Sequence, residues 1–168
     1  MFFNDYQGYW QEVIMGIVQE IYIAAIGGGP MQARPAVSVE AGRGIPGDRY
    51  YAETGTFSKQ LAGLPDKEIT LIEAEQIDAF NQAYDHAYNS GDFRRNLVTQ
   101  GVDLNGLVGK HFSINGVNFR GVRLCEPCAH LATVLSADVV AGMVHKAGLR
   151  AEIVSNGELR RGDEIVYA

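Results

Sequence analysis

HFSINGVNFRGVRLCEPC, residues 111–128, carries the clearest signal of β structure in the chain. At its centre, Asn115-Gly116 favours a two-residue turn, because both central positions of the commonest hairpin turn need a positive φ angle. The flanking segments His111–Ile114 and Val117–Leu124 then form the two arms. The stretch therefore predicts a β-hairpin whose second arm leads directly into a pair of cysteines, Cys125 and Cys128.

Extended structure is also predicted on both sides of this hairpin. Residues 13–26, VIMGIVQEIYIAAI, are rich in β-branched and aromatic residues and partly alternate in polarity, which favours a strand. Residues 36–40 resume extended structure after a Gly-Pro break, and residues 96–125 have the pattern of strands. From Leu149 onward, the sequence predicts three strands joined by an Asn-Gly turn and an Arg-Gly-Asp turn.

Two helices are predicted between these strands. Thr70 and Glu73 match a capping box, in which each side chain can bond a free backbone N–H of the first turn. Residues 89–91, Asn-Ser-Gly, are expected to stop this helix, and a second helix is expected over residues 136–146 with Ser136 as its cap. The first helix has one apolar face, formed by Ala74, Ile77, Phe80 and Tyr84.

Length and composition predict one globular domain over residues 1–168, and the several short strands with a few helices predict a mixed, mainly β, barrel-like architecture. The chain is 46% hydrophobic and 20% charged, and its net charge of −6 argues against a protein that binds nucleic acid mainly by electrostatics. The N-terminal residues MFFNDYQGYWQ lack the basic region of a signal peptide. No apolar run approaches the roughly 20 residues that span a membrane, so a cytoplasmic location without membrane contact is expected.

The motif Cys125-Glu126-Pro127-Cys128-Ala129-His130 allows several kinds of chemistry. Its thiolates could share a metal, form a disulfide or relay sulfur, and Arg123 or His130 could lower a thiol pKa. A thioredoxin-like pair is disfavoured because the chain does not alternate strand and helix. Two structural cysteines and a soft metal with one thiolate ligand both remain open. A structural zinc site is disfavoured by the lack of ligand spacing among His86, His111, His130 and His145.

Two glycine-rich segments and an arginine pair are candidates for anion binding. Residues 42–47, GRGIPG, match a dinucleotide-binding motif by letter, but no helical pattern follows them. A tight turn that directs backbone N–H groups and Arg49 toward an anion is the preferred interpretation. Residues 27–29 lack the lysine and serine of a phosphate-binding loop. Arg94-Arg95-Asn96 could bind phosphate or carboxylate, or could pair with a nearby aspartate at the surface.

Taken in order, several short segments make the chain resemble the MOSC family, the domain named for the C-terminal part of molybdenum-cofactor sulfurases. The likeness spans residues 13–167 and is greatest to short, stand-alone bacterial members. The matching segments are residues 47–49 (GDR), 68–73 (EITLIE), 94–99 (RRNLVT), 103–110 (DLNGLVGK), 123–128 (RLCEPC) and 162–163 (GD).

The resemblance implies a β-barrel with a few peripheral helices and a bound molybdenum–pterin cofactor. It implies that the thiolate of Cys128 ligates molybdenum, and Cys125 is a second candidate catalytic thiol. It also implies that Arg94 and Asn96 hold the pterin side and its phosphate, with Arg49 as a further anion contact. The full set of candidate cofactor-binding residues is Arg49, Arg94, Arg95, Asn96 and Arg123.

The chain departs from its larger relatives in two ways. Tyr50 follows the Gly-Asp-Arg motif where many members have histidine. In addition, about 45 residues precede Gly47, too few for the additional N-terminal barrel domain that helps to enclose the cofactor in those relatives. We therefore expect a site that is exposed, or that is completed by the second subunit of a homodimer.

Two functions follow from the resemblance, a third hypothesis comes from a different class, and a fold without retained chemistry is the fourth alternative, so the sequence leaves open whether the protein is an enzyme. In the first, Cys128 is the molybdenum ligand of a reductase of N-hydroxylated compounds that receives electrons from a flavin or iron–sulfur partner protein. In the second, Cys128 carries a persulfide sulfur from a cysteine desulfurase to an acceptor, such as a cofactor or a metal–sulfur cluster. In the third, the protein is a non-catalytic module that binds and stores the cofactor or another anionic ligand.

Overall fold

The computed structural model describes residues 14–167, in which ten strands and three α-helices are formed. The strands are β1 (Ile14–Ile23), β2 (Gln32–Ala33), β3 (Ala36–Val39), β4 (Ile69–Glu73), β5 (Leu97–Gln100), β6 (His111–Ile114), β7 (Val117–Leu124), β8 (Leu149–Ile153), β9 (Gly157–Arg160) and β10 (Glu164–Tyr167). The helices are α1 (Ala74–Tyr84), α2 (Ala129–Val134) and α3 (Asp138–Gly142). Short 3-10 turns lie at Pro65–Lys67, Ser90–Phe93 and Asn105–Leu107.

Seven of the strands close into a barrel in the order β10-β6-β7-β8-β4-β5-β1, and pairing between β1 and β10 completes the ring. Every neighbouring pair in the ring is antiparallel except β4 and β5, which run parallel. Strand β2 pairs with β1, and β3 pairs with β9 in a separate two-stranded sheet. The prediction of a mainly β, barrel-centred fold with a few helices is therefore confirmed.

The hairpin of residues 111–124 forms with the predicted arms. Asn115 and Gly116 both have positive φ angles, 50° and 74°, as the predicted turn requires. Phe112 and Phe119 lie directly opposite each other on the two arms, and their ring centroids are 5.4 Å apart. Both rings are fully buried in the barrel core, so this hairpin fixes the register between β6 and β7 from inside.

The barrel and the helices have separate hydrophobic cores that meet at β4. Ile69 and Leu71 belong to the barrel core, whereas Ile72 packs outside the barrel with Ile77 and Phe80 of α1. Since successive strand residues point to opposite faces, β4 is buried on both sides, and the helices cover its outer face. The parallel connection from β4 to β5 passes through α1, as parallel pairing requires a crossover.

The predicted start and end of the first helix are wrong. Thr70 lies in β4, where its hydroxyl donates a hydrogen bond to the side-chain oxygen of Asn96, 3.2 Å away. Glu73 is the N-cap of α1 without a side-chain capping bond, and Asp85 ends the helix in a left-handed conformation well before residues 89–91. Tertiary pairing of β4 with β5 and β8 thus overrides the local capping signal.

The second predicted helix, residues 136–146, is shorter than expected. Only α3, Asp138–Gly142, is helical there, and Ala137 rather than Ser136 is its N-cap. The hydroxyl of Ser136 lies 3.3 Å from Nε2 of His86 instead. Helix α2, which begins directly after Cys128, is not anticipated by the sequence patterns.

Two further predictions concern a signal peptide and a membrane span. The prediction that no signal peptide begins the chain concerns residues 1–13, which lie outside the described residues. Within the described residues, no helix has the length and apolar character needed to cross a membrane.

Candidate functional site

A pocket lies on the outer face of β4 and β8, between these strands and the segment that carries the cysteines. Thr70 of β4 and Arg150 of β8 line it, while the residues beside them in sequence, such as Leu71 and Leu149, point into the barrel core. The space is about 500 Å³ and part of it is open to solvent. The lining residues, here called the cysteine pocket, are Arg49, Tyr50, Thr56, Phe57, Thr70, Arg94, Arg95, Cys125, Glu126, Cys128, His130, Leu131 and Arg150.

Cys128 and Cys125 both line the pocket, but their surroundings differ. Cys128 is half-buried and is the N-cap residue of α2, with an extended backbone. Cys125 is only 3% exposed, and its N–H donates to the carbonyl of Gly148 at 2.7 Å. Both are free thiols. Cys128 is therefore the more accessible nucleophile or soft ligand, and Cys125 forms part of the pocket wall.

Gly148 allows the segment that carries the cysteines to approach the barrel closely. A Cβ atom at this position would lie 2.0 Å from the carbonyl oxygen of Leu71, and the residue has a φ of 115°. Both constraints require glycine. Because Gly148 accepts the hydrogen bond of Cys125, this glycine fixes how near the first cysteine sits to β4.

The Gly-Asp-Arg motif forms a buried polar network that supports one side of the pocket. Asp48 is 1% exposed, and one of its carboxylate oxygens accepts from the N–H of Ala24 and from Nη1 of Arg49, at 3.1 and 3.0 Å. Its other oxygen accepts from the N–H of Tyr50 at 3.2 Å. The positive φ of Gly47, 91°, makes the turn that delivers Asp48 to these donors.

Arg49 and Arg94 are joined within the pocket wall. Nη2 of Arg49 donates to the backbone carbonyl of Arg94 at 3.1 Å, and Nη1 of Arg94 donates to the carbonyl of Gly29 at 2.8 Å. Nη2 of Arg94 is buried and has no hydrogen-bond partner within residues 14–167. Burial, and then the nearby positive charge of Arg49, lower the pKa of Arg94. An anion in the pocket would supply what this guanidinium lacks.

Arg94 also has a strained backbone. Its φ of 61° lies in the left-handed region that non-glycine residues rarely adopt. The 3-10 turn at Ser90–Phe93 ends at this residue, whose N–H bonds the carbonyl of Gly91. Such strain persists only where the surroundings enforce it, and it is common in binding sites.

Arg95 holds three parts of the pocket together. Its guanidinium donates to the carbonyls of Ala147, Phe93 and Cys125 at 2.9, 3.1 and 3.4 Å. It therefore fixes the segment that carries the cysteines against the barrel and leaves a positive charge near Cys125 that no carboxylate neutralises among the described residues.

Two of the predicted cofactor-binding residues do not line the pocket. Asn96 is 2% exposed, and its side-chain NH₂ donates to the carbonyl of Tyr22 and to Asp48, at 3.2 and 3.4 Å. Its side-chain oxygen accepts from the N–H and the hydroxyl of Thr70. Arg123 forms an ion pair with the buried Asp66. Asn96 thus supports the pocket from behind, and Arg123 stabilises a buried acid outside it.

The sequence patterns missed Arg150, although the signal was present. In β8 the residues at 149, 151 and 153 are buried and those at 150 and 152 are partly exposed, an alternation that assigns Arg150 to the outer face. What the alternation alone does not give is the neighbour across the sheet. Arg150 lies opposite Thr70 in β4 and Arg123 in β7.

The lining of the pocket is strongly positive. Four arginines and one carboxylate, Glu126, line it. That carboxylate accepts from the N–H of His145 and lies 3.1 Å from its Nδ1. His130 is also at the pocket, and its ring meets Phe57 edge-on at a centroid distance of 6.0 Å. No group of three or more potential metal ligands among His, Cys, Asp and Glu occurs within the part of the chain that the structure describes.

The fold and the site together define a small barrel protein that presents a cysteine in an arginine-lined pocket. Residues 58–166 match the family model described as MOSC domain, so the chain belongs to the MOSC domain family. The match agrees with the family resemblance that the short sequence segments indicate. No curated protein matches the chain.

Solved structures share the fold at low sequence identity. The YUAD protein from Bacillus subtilis is 17% identical with a TM-score of 0.78, over 94% of this chain and 97% of that one. YiiM from Geobacillus stearothermophilus is 15% identical with a TM-score of 0.64, over 93% of this chain and 73% of that one. YiiM from Escherichia coli is 14% identical with a TM-score of 0.63, over 89% and 70%. Identities this low establish the fold alone.

Proposed function

We propose that this MOSC protein binds a molybdenum–pterin cofactor in the cysteine pocket, with Cys128 as the molybdenum ligand, and reduces N-hydroxylated compounds. The observation that carries the proposal is that one pocket combines a half-buried free thiol with four guanidinium groups. A thiolate is a soft ligand suited to such a metal, and guanidinium groups suit a phosphate.

The residues present fit the chemistry of the cofactor. The buried Nη2 of Arg94, unpaired within residues 14–167, is a donor that a phosphate oxygen would satisfy. The positive lining would offset the charge of a phosphate monoester, about −1.5 to −2 at neutral pH. The pocket is open to solvent on one side, so a cofactor larger than the enclosed space could extend outward from it. Cys128 would hold the metal, and Arg94 and Arg95 would hold the phosphate side.

The chain's own residues have distinct tasks in this proposal. The chemistry that the cofactor supplies when bound is two-electron reduction, in which an N-hydroxylated compound, two electrons and two protons become the N–H compound and water. Arg95 holds the Cys125 carbonyl and so fixes the segment that leads to Cys128. The imidazole of His130 can hold a proton beside the pocket for the departing hydroxyl group. The electrons come from a separate electron-donor protein.

The test of this proposal is the metal and pterin content of protein expressed in a cofactor-replete host. We expect near-stoichiometric molybdenum and pterin in the wild type and loss of molybdenum in Cys128→Ser. The control, Arg160→Gln, changes an arginine that is paired with Glu158 outside the pocket and should retain both. Reduction of an aryl N-hydroxyamidine by an artificial electron donor should follow the molybdenum content. A wild type without molybdenum or pterin would overturn the proposal.

A second candidate function is sulfur carriage, which the accessibility of Cys128 favours. Its thiolate, half-buried in a pocket open to solvent, can attack the outer sulfur of a desulfurase persulfide. The Cys128 persulfide forms and the donor cysteine leaves as a thiol, so sulfur and electrons balance. Mass spectrometry after incubation with a desulfurase and cysteine would show one added sulfur on the wild type and none on Cys128→Ser. In a non-catalytic module, by contrast, Cys128→Ser would leave phosphate-side binding intact.

A further inference from the structure

Arg150 is a pocket arginine that has no assigned contact to the cofactor in the proposed site. Its neighbours in β8, Leu149 and Ala151, are fully buried in the barrel core, so its side chain points to the outer face and lines the cysteine pocket. The residue is partly buried. Its guanidinium has no hydrogen-bond or ion-pair partner within residues 14–167, in contrast to Arg120 of the adjacent strand, which pairs with Glu152 at 2.8 Å.

The other pocket arginines are each engaged. Arg49 is neutralised by Asp48, and Arg95 donates to three backbone carbonyls. Arg94 donates through one nitrogen to Gly29. A cofactor phosphate would engage Arg94 and Arg95 and leave the charge of Arg150, beside Thr70, without a counterion. A partly buried guanidinium in that situation favours a second anion.

We propose that Arg150 is a specificity-determining residue that binds an anionic group of the substrate, so that the pocket selects small N-hydroxylated compounds carrying a carboxylate or a group of similar charge. The inference rests on the proposed function for the reaction, whereas the anion contact itself rests only on the pocket. A planar carboxylate matches the fork of donors that guanidinium presents. Thr70 does not compete for this group, because its hydroxyl is already bonded to Asn96.

The direct test compares two ligands that differ only in charge. The probes are an aryl N-hydroxyamidine with a ring carboxylate and the same compound with a neutral carboxamide. Their affinities for the protein as isolated are measured by isothermal titration calorimetry at low salt. We expect the wild type to prefer the carboxylate and Arg150→Gln to reduce that preference between about 10- and 100-fold, the range for a charge-assisted hydrogen bond.

Two further variants separate a lost contact from a lost fold. Arg150→Lys keeps the charge without the fork, so it should keep part of the preference. Arg160→Gln removes an equal charge from an exposed ion pair with Glu158 and should keep all of it. Thermal melting of each variant establishes that it is folded. A wild type without preference, or an Arg150→Gln preference equal to that of the wild type, would overturn the proposal.

The binding test does not depend on the cofactor, so the two proposals fail separately. If the protein holds no molybdenum but Arg150→Gln still loses the carboxylate preference, the anion contact stands and the reductase proposal falls. If molybdenum is bound and the wild type shows no preference for the carboxylate, the anion contact falls and the reductase proposal stands. With loaded protein, the ratio of kcat/KM for the two compounds should change in the same direction and by a similar factor as the binding preference.

Discussion

Two polar regions lie side by side in this protein and differ in how their hydrogen bonds are satisfied. In the network around Asp48, every contact is internal, because the carboxylate accepts from Ala24, Arg49, Tyr50 and Asn96. Elsewhere in the lining of the pocket, Cys128 is a free thiol and Arg150 has no ion-pair partner within residues 14–167. The polar groups of the first region bond to each other and stabilise the fold, while those of the second region are available to bind a ligand. Substitutions in the two regions should therefore affect different measurements.

The largest loss of stability is expected for Asp48→Asn. This change removes the counterion of the buried Arg49 guanidinium, and breaking a buried ion pair costs about 3–5 kcal/mol. Urea denaturation would measure the free energy of unfolding. The matched control is Glu158→Gln, which removes the partner of an exposed arginine and should cost no more than about 1 kcal/mol. Equal losses of free energy of unfolding in the two variants would contradict the claim that the buried Asp48 network stabilises the fold more than a surface ion pair does.

A second large effect should depend on pH. Glu68 is 3% exposed, one of its oxygens has no partner in the described part of the chain, and burial raises its pKa from 4.5 to about 7. Folding therefore favours the protonated carboxyl. The resulting stabilisation is present below pH 4.5 and is lost as the pH rises through about 7. Glu68→Gln should be more stable than the wild type at pH 8 by up to about 3 kcal/mol, a difference that shrinks toward pH 5.

Glu73 provides a second test of this pH effect. Burial also raises the pKa of Glu73 to about 7, and the charges of Asp103 and Glu75 add to the shift. Glu73→Gln should remove a separate part of the pH dependence, and the double variant should have the flattest profile. Denaturation at a series of pH values checks this. A Glu68→Gln curve parallel to that of the wild type would contradict the burial argument.

An intermediate effect is expected for Arg95→Gln. The change removes donors to the carbonyls of Phe93, Cys125 and Ala147, which should cost about 2 kcal/mol and loosen the segment that carries the cysteines. Alkylation of the buried Cys125 thiol should become faster, which mass spectrometry can follow. Arg95→Lys should recover only part of the protection, since an ammonium cannot reach the three carbonyls in the same way. Unchanged alkylation would mean that Arg95 does not hold this segment.

The smallest change in stability is expected for Cys128→Ser, below about 1 kcal/mol, because the thiol is half-buried at a helix start. The same variant should lose molybdenum or sulfur carriage, so its stability and its function should separate. Cys125→Ser places a hydroxyl in the buried wall and should cost more, about 1–2 kcal/mol. Measuring the free energy of unfolding and the molybdenum content of both variants would distinguish the structural role of Cys125 from the proposed ligand role of Cys128.

The sequence predicted the parts of this protein that local chemistry determines. The Asn115-Gly116 hairpin and the turns near the C-terminus follow from residues adjacent in sequence, and together they indicated the barrel. The local pattern predicts Thr70 as a helix cap because its true partner, Asn96, lies 26 residues away in the sequence. Local patterns do not reveal the role of Asp66 either, because its ion-pair partner Arg123 is also distant in sequence. This ion pair holds Arg123 outside the pocket.

For the candidate site, the sequence motifs predict residues that the structure brings to one pocket, but they do not predict the geometry of that pocket. Cys125, Cys128, Arg49, Arg94 and Arg95 all line one pocket. Arg150 was overlooked because its relation to Thr70 depends on antiparallel register across the barrel, which no local pattern reveals. The direct role of each residue toward a cofactor stays a prediction that the metal and binding experiments address.

The seam between β1 and β10 also constrains how the protein is made. These strands pair at the start and end of the described chain, Ile17 opposite Glu164, so the ring closes through contacts of nearly the greatest possible sequence separation. During synthesis, the edges of β1 and β6 that pair with β10 stay unpaired until β10 has left the ribosome. Truncation before Glu164 should therefore leave a nascent or purified chain with two open sheet edges and a tendency to aggregate, even though the cysteine pocket lies elsewhere on the barrel.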